Sequence, residues 1–202
     1  MAFAVVPACG QSTRMGRPKL SLPLGDRSVI EHVVGALRGG GVDHVLVVVG
    51  PHVADLVPLA RSAGADVLLL PEPTPDMRAT VEHGLRWLEG QFAPAPDDVW
   101  LLAPADHPVL SSALVRQLLD ATGSSACSIA VPVHDGRRGH PTLIRWRHVA
   151  GIRALPAGVG INVHLRERGV ETLEVPVADA GVLADLDTPE DYQRLRERVS
   201  ER

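Results

Sequence analysis

The sequence predicts an α/β fold built on a mostly parallel sheet, and three observations carry that expectation. Continuous β-branched runs such as residues 44–49 read as strands buried on both faces, as in a parallel sheet covered by helices. Segments with helical spacing of apolar residues alternate with these runs. Glycines and capping residues punctuate them at the intervals of βαβ units.

The apolar run 3–6 reads as the first strand. Ser28 and Glu31 have the spacing of a capping box, and Ile30, Val33, Val34 and Leu37 then fall on one helical face. Gly39, Gly40 and Gly41 end that helix. After the strand at 44–49 come a helix over 54–62 and a strand over 66–70. Residues 78–89 read as a helix, with Val81, Leu85 and Leu88 on one face and Gly90 as its stop. A strand over 98–103 precedes a helix over 111–121, with Leu114, Val115, Leu118 and Leu119 inward and Gly123 after it.

Beyond Ser124 the rhythm loosens. The pattern gives a strand over 127–133, a turn at 136–139, a strand over 141–145 that is a candidate partner of the previous one, and a helix over 161–168. Short strands follow over 170–175 and 181–186. Thr188 as N-cap, Pro189 at the first helical position, and Glu190 and Asp191 in the first turn open the last helix. Its apolar face is Tyr192, Leu195 and Val199. With no internal repeat or linker, residues 1–202 read as a single domain.

Composition narrows the function. Hydrophobic residues make up 45% and aromatics only 3%, so a globular core must rest on Val, Leu, Ile and Ala. A net charge of −4 argues against a nucleic-acid binder and suits a small anionic ligand met by a local basic patch. Cys9 and Cys127 are too few for a disulfide framework, which is compatible with a cytoplasmic protein. No stretch reads as a signal peptide or a membrane span.

The chemistry concentrates at three places. The first strand empties into a loop with Gly10, Ser12, Arg14, Gly16, Arg17 and Lys19, where backbone N–H groups and positive charge suit phosphate. It is neither a G-x-G-x-x-G fingerprint nor a P-loop, since five residues separate Gly10 from Gly16 and Arg17 follows. The alternative is a basic surface turn.

Asp106 leaves the carboxyl end of the 98–103 strand, where open sheets bind ligands. A carboxylate beside phosphate calls for a cation, so Asp106 is a metal-ligand candidate; the alternative is a turn cap. Asp185 and Asp187 would point to one side of an extended segment, either toward a metal or as solvent and cap residues. His107 and His140 are single histidines without a zinc-protease spacing.

Together these residues resemble a known family. The 7–19 loop is similar to the L/P-A-A/G-G-x-S-x-R-M-G-x-x-K signature of nucleotidyltransferases. Within that group the chain resembles MobA-like NTP transferases, most of all the molybdenum cofactor cytidylyltransferases. Residues 77–85, Pro104-Ala105-Asp106-His107-Pro108, Gly139-His140-Pro141 and residues 185–191 resemble four further blocks.

The resemblance implies a three-layer αβα Rossmann-like fold of the nucleotide-diphospho-sugar transferase type. It implies an Mg²⁺-dependent transfer of a nucleoside monophosphate from an NTP to a phosphorylated small molecule such as molybdopterin, with pyrophosphate released. Arg14, Lys19 and Asp106 would be catalytic. Pro7, Ala8, Cys9, Gly10, Gln11, Ser12, Thr13, Arg14, Lys19 and Thr80 would hold the nucleotide. His107 and His140 would line the acceptor side, and Asp106 with Asp185 or Asp187 would hold the metal. Family members that use GTP tend to carry Gly where Cys9 stands, so Cys9 favours CTP, as does the likeness of Pro7-Ala8 to the cytidylyltransferases of isoprenoid synthesis. Asp76, Thr80 and Glu72 depart from the family's usual Gly, Ser and Asn.

Overall fold

A computed structural model describes residues 1–12 and 14–200; the side chains of residues 199 and 200 lie outside the description, as does Thr13. The chain opens with β1 (Ala2–Ala8), then a small hairpin of β2 (Pro23–Leu24) and β3 (Arg27–Ser28). α1 (Val29–Gly39) leads to β4 (His44–Val49), α2 (Leu56–Ser62) to β5 (Asp66–Leu69), and α3 (Met77–Phe92) to β6 (Val99–Leu102). There follow α4 (Ser112–Gly123), β7 (Ile129–His134), β8 (Arg137–Arg138) and β9 (Thr142–Arg145). α5 (Val149–Arg153), α6 (Ile161–Glu167), β10 (Thr172–Pro176) and α7 (Pro189–Ser200) complete the described chain.

The main sheet has the order β10-β7-β9-β6-β1-β4-β5, with β8 paired to β7. β5, β4, β1 and β6 pair in parallel, β9 runs antiparallel between β6 and β7, and β10 is parallel to β7. Side-chain alternation on the strands divides the core in two. Ala4, Val6 and Ala8 of β1 pack with α1, α2 and α4, whereas Phe3 and Val5 pack with α3, α5 and α6. The result is the three-layer αβα arrangement.

The strand order fixes where a ligand can sit. β1 leads to β4 and β5 on one side, then α3 carries the chain back to β6 on the other. Ala2 pairs with Val99 and Val5 with Leu102, so the carboxyl ends of β1 and β6 are neighbours. The crevice at such a reversal is the standard ligand position of an open α/β sheet.

Several sequence expectations need correction. The 181–186 strand is absent: Ala180–Leu183 is a 3₁₀ turn, started where the Asp179 carboxylate accepts the Gly181 N–H at 2.7 Å, and 184–187 runs on without a ladder partner. Gly90 does not stop α3, because Phe92 continues it to pack 5.6 Å from Phe3 and 4.0 Å from His44; Ala93, in the left-handed region, ends it. The turn placed at 136–139 is instead a hairpin bend at Asp135 and Gly136, both with positive φ, and Arg137 and Arg138 form β8. The predicted helix start at Ser28 holds, with the Glu31 carboxylate accepting the Ser28 N–H at 2.7 Å.

A buried polar chain ties α5 and α6 to the β7–β10 edge. His164 Nε2 lies 3.1 Å from His148 Nδ1, His148 Nε2 lies 2.7 Å from Ser128 Oγ, and Ser128 Oγ donates to Glu171 Oε2 at 2.7 Å. One proton ordering satisfies all of it: His164 donates to His148, His148 to Ser128, and Ser128 to the carboxylate. That ordering needs His148 neutral, with Nδ1 as acceptor, and burial lowers the pKa values of both rings.

Two predictions follow from this packing. A Cβ at Gly84 would stand 2.9 Å from both Val5 Cγ1 and Val48 Cγ2, so Gly84→Val pushes α3 off the sheet. It should cost about 1–3 kcal/mol in urea unfolding; an unchanged midpoint contradicts the packing. Stability should also fall with acid, since His107, His140, His148 and His164 all have folded pKa values below the ordinary one. The unfolded chain then takes up protons from about pH 6.5 downward that the native state refuses. The urea midpoint should be highest above about pH 6.5 and drop steadily toward pH 5; a flat or rising profile would sink this reading.

Candidate active site

The loop after β1 is wound around Ser12. This residue takes a left-handed φ of 50°, its carbonyl accepts N–H groups from Met15 at 3.0 Å and Gly16 at 3.2 Å, and its hydroxyl accepts the Lys19 N–H at 3.3 Å. Gly16 has φ 65°, a value that suits a residue without Cβ. Met15 and Leu20 anchor the loop in the core beside exposed Arg14 and Arg17. The basic stretch is thus a fixed strap that delivers Lys19 inward.

Lys19 ends between two carboxylates. Its Nζ donates to Asp106 Oδ2 at 2.7 Å and to Asp187 Oδ1 at 2.9 Å, and Arg14 Nη2 lies 2.9 Å from Asp187 Oδ2. The Lys19 side chain is only 12% exposed. Burial alone would lower its pKa, but the hydrogen bonds and charges of Asp106 and Asp187 outweigh that and raise it. The ammonium therefore stays charged.

Local structure sets each carboxylate. Asp106 follows β6, and its carbonyl accepts the Leu186 N–H at 2.9 Å, stitching 185–187 to the β6 loop. Leu186 is fully buried, and of its two neighbours Asp187 faces Lys19 whereas Asp185 is exposed, so the two carboxylates do not share the one environment that the extended reading expected. Thr188 and Asp191 cap α7 reciprocally: the Asp191 carboxylate accepts the Thr188 N–H at 2.7 Å and the Asp187 N–H at 3.1 Å, while Thr188 Oγ1 accepts the Asp191 N–H at 3.2 Å. The helix cap thereby orients Asp187.

A cleft of about 490 Å³ opens along this cluster. Pro7 through Ser12, Arg14, Lys19, Thr80, Asp106 and Asp187 all line it. Asp185, His107 and His140 are not in its lining, and Thr13 lies outside the described residues. Leu20, His52 and residues 73–76 line it as well. His52 carries no motif that would have marked it.

The inner wall is built from Cys9 and two threonines. Cys9 Sγ points to the Val48 carbonyl at 3.6 Å, and Thr74 and Thr80 hydroxyls lie 2.6 Å apart. Thr80 donates to the Asp76 carbonyl at 3.2 Å, so Thr74 is the donor of the pair. Burial raises the thiol's pKa, with the threonine hydroxyls opposing it, which keeps the thiol neutral. Asp76 accepts the Ala79 N–H at 2.8 Å and caps α3; this is the local use of the residue that replaces the family's usual Gly.

His107 and His140 form a separate pair behind Asp106, with ring centroids 5.2 Å apart. Burial, then the neighbouring His107, pushes the His140 pKa down to about 4 against the pull of Asp106. Burial likewise lowers His107, against the charges of Asp106 and Asp185. Both are neutral imidazoles near pH 7, and both Nδ1 atoms are buried without a partner among the described residues.

The donor set can be tested against a metal. Asp106 and Asp187 offer hard carboxylate oxygens, the type Mg²⁺ takes, and Mg²⁺ needs only one or two of them when phosphates complete its shell. Among the described residues no group of three or more His, Cys, Asp or Glu could hold an ion without such help. The residues fit a metal that is shared with a phosphate ligand. No helix among the described residues is long and apolar enough to cross a membrane.

Comparison with known proteins places this chain in a family. The MobA-like NTP transferase domain matches residues 4–175. A phosphoenolpyruvate guanylyltransferase of Rubrobacter xylanophilus is 33% identical, covering 96% of this chain and 92% of its own length. A nicotine blue oxidoreductase of Paenarthrobacter nicotinovorans is 29% identical over 95% of this chain and 94% of its own. A nucleotidyl transferase structure from Methanothermobacter thermautotroptrophicus superposes with a TM-score of 0.81 at 23% identity, covering 100% of this chain and 98% of that one, a likeness of fold. The chain belongs to the MobA-like NTP transferase domain family and is a nucleotidyltransferase.

Proposed function

We propose that the protein transfers a nucleoside monophosphate, CMP by preference, from an NTP to a phosphorylated small-molecule acceptor such as molybdopterin, with release of pyrophosphate. The observation that carries this reading is Lys19 held between Asp106 and Asp187, in the cleft lined by 7–12. A site that presents two cations and two carboxylates side by side suits a ligand that brings both phosphate and metal.

In this reading the triphosphate lies along the loop backbone from Gly10 to Ser12, with Arg14 and Lys19 on its oxygens. Asp106 and Asp187, rather than Asp185, would hold Mg²⁺, which would supply neutralisation of developing charge. An acceptor phosphate oxygen forms a bond to the α-phosphorus as the bond to the β-phosphate oxygen breaks, and pyrophosphate departs. Catalysis is positioning and electrostatics. The nucleophile is already ionised, so no base is required, consistent with neutral His107 and His140. These two would face the acceptor as hydrogen-bonding groups.

The base would meet Ala8, Cys9, Thr74, Thr80 and Met77. The Cys9 side chain occupies wall space that a glycine would leave open, which favours a pyrimidine. A second reading, guanylyl transfer, is favoured by the 33% identical relative named a phosphoenolpyruvate guanylyltransferase.

Pyrophosphate release should be measured with CTP, GTP, ATP and UTP, Mg²⁺ and a panel of phosphorylated acceptors. CTP should turn over fastest; a GTP preference establishes the second reading, and no turnover of any NTP overturns both. Asp106→Ala should lower kcat on the order of 100-fold or more. Cys9→Gly should raise GTP use relative to CTP; an unchanged ratio removes Cys9 as the determinant.

A further inference from the structure

The charge count of the Lys19 cluster has a consequence for the order in which ligands bind. Lys19 and Arg14 carry two positive charges, and Asp106 and Asp187 carry two negative ones. Three of the four carboxylate oxygens already have a cationic partner: Asp106 Oδ2 and Asp187 Oδ1 hold Lys19, and Asp187 Oδ2 holds Arg14. Among the described residues the fourth, Asp106 Oδ1, has its ionic neighbour in His107 Nε2 at 3.9 Å, beyond hydrogen-bond range. The cluster is neutral and nearly saturated without any metal.

We propose that Lys19 is a built-in counter-ion that keeps a divalent cation out of this site until a triphosphate arrives. Ammonium and metal compete for the same carboxylate oxygens. A metal that takes both carboxylates without nucleotide displaces Lys19 and leaves an unpaired ammonium that is only 12% exposed, which is costly. A triphosphate removes that cost, because it offers Lys19 and Arg14 new anionic partners and brings the negative charge that the metal needs. Metal and nucleotide therefore bind with positive coupling, and the coupling is reciprocal. The strap geometry supports the exchange: the Lys19 backbone is pinned by Ser12 Oγ at 3.3 Å, so the ammonium can swing between carboxylates and phosphate while the backbone stays in place.

This inference rests on the proposed metal–nucleotide reading of the cleft, but its decisive test needs no turnover. Mn²⁺ is titrated into nucleotide-free protein and followed by the electron paramagnetic resonance signal of the free ion, for wild type, Lys19→Met and Lys19→Gln. Circular dichroism and unfolding midpoints establish that each variant is folded. Both variants should bind Mn²⁺ at least tenfold more tightly than wild type, because the competing charge is gone. Equal or weaker Mn²⁺ binding by the folded variants overturns the proposal, whatever the pyrophosphate assay shows.

A second titration uses a CTP analogue with a methylene group between the α- and β-phosphates. It should raise wild-type Mn²⁺ affinity at least tenfold and raise that of Lys19→Gln much less. Equal enhancement in both proteins also counts against Lys19 as the coupling element. If neither CTP nor GTP binds at all, the functional reading fails while the nucleotide-free comparison still decides the counter-ion role.

Discussion

The ammonium of Lys19 between Asp106 and Asp187 is the interaction on which the cleft depends. It joins residues 87 and 168 positions apart in the chain, and each partner is delivered by a different part of the fold. β1 and its strap bring the lysine, β6 brings Asp106, and the capped start of α7 brings Asp187. Leaving two carboxylates this close without a cation would be repulsive, and leaving a largely buried lysine without an anion would favour its neutral form. Each charge makes the others tenable.

The sheet explains why these segments can meet. Parallel order turns at β1, so the loops after β1 and β6 open into one crevice. Leu186 then anchors the C-terminal segment there through its burial and its N–H to the Asp106 carbonyl. The protein devotes the end of its chain to closing one side of a site begun near residue 8. Opposite this charged end, the Cys9–Thr74–Thr80 wall is neutral and part-buried, and the His107–His140 pair beyond Asp106 is neutral too. The cleft thus has one ionic centre and one uncharged, hydrogen-bonding wall, with the histidine pair outside its lining. Such a layout suits a ligand with a phosphate part and a polar, uncharged end.

Much of this was legible in the sequence because period and composition are local signals. The β-branched run of β4, the capping box of α1 and the Thr-Pro-Glu-Asp start of α7 each announce their element within a few residues. The 181–186 segment misled for the same reason: its apolar run resembles a strand, but the Asp179 carboxylate accepts the Gly181 N–H and winds the run into a 3₁₀ turn that buries Gly181 and Val182. Gly90 misled because the packing of Phe92 on Phe3 and His44 outweighs the local cost of one glycine in a helix. At the site, Arg14, Lys19 and Asp106 stood out by motif, whereas the choice between Asp185 and Asp187 depends on the Thr188–Asp191 cap that orients Asp187. His52 and Thr74 reach the cleft by tertiary placement alone, with no pattern around them.

The most direct test of a cleft built for nucleotide and metal together is thermal unfolding of the wild-type protein across the four NTPs, with and without Mg²⁺. A ligand that binds only the native state raises Tm, by an amount that grows with the logarithm of its concentration over its Kd. The account predicts the largest rise with CTP, and a rise with CTP and Mg²⁺ together that exceeds the sum of their separate effects. No shift with any NTP in the presence of Mg²⁺ would contradict it.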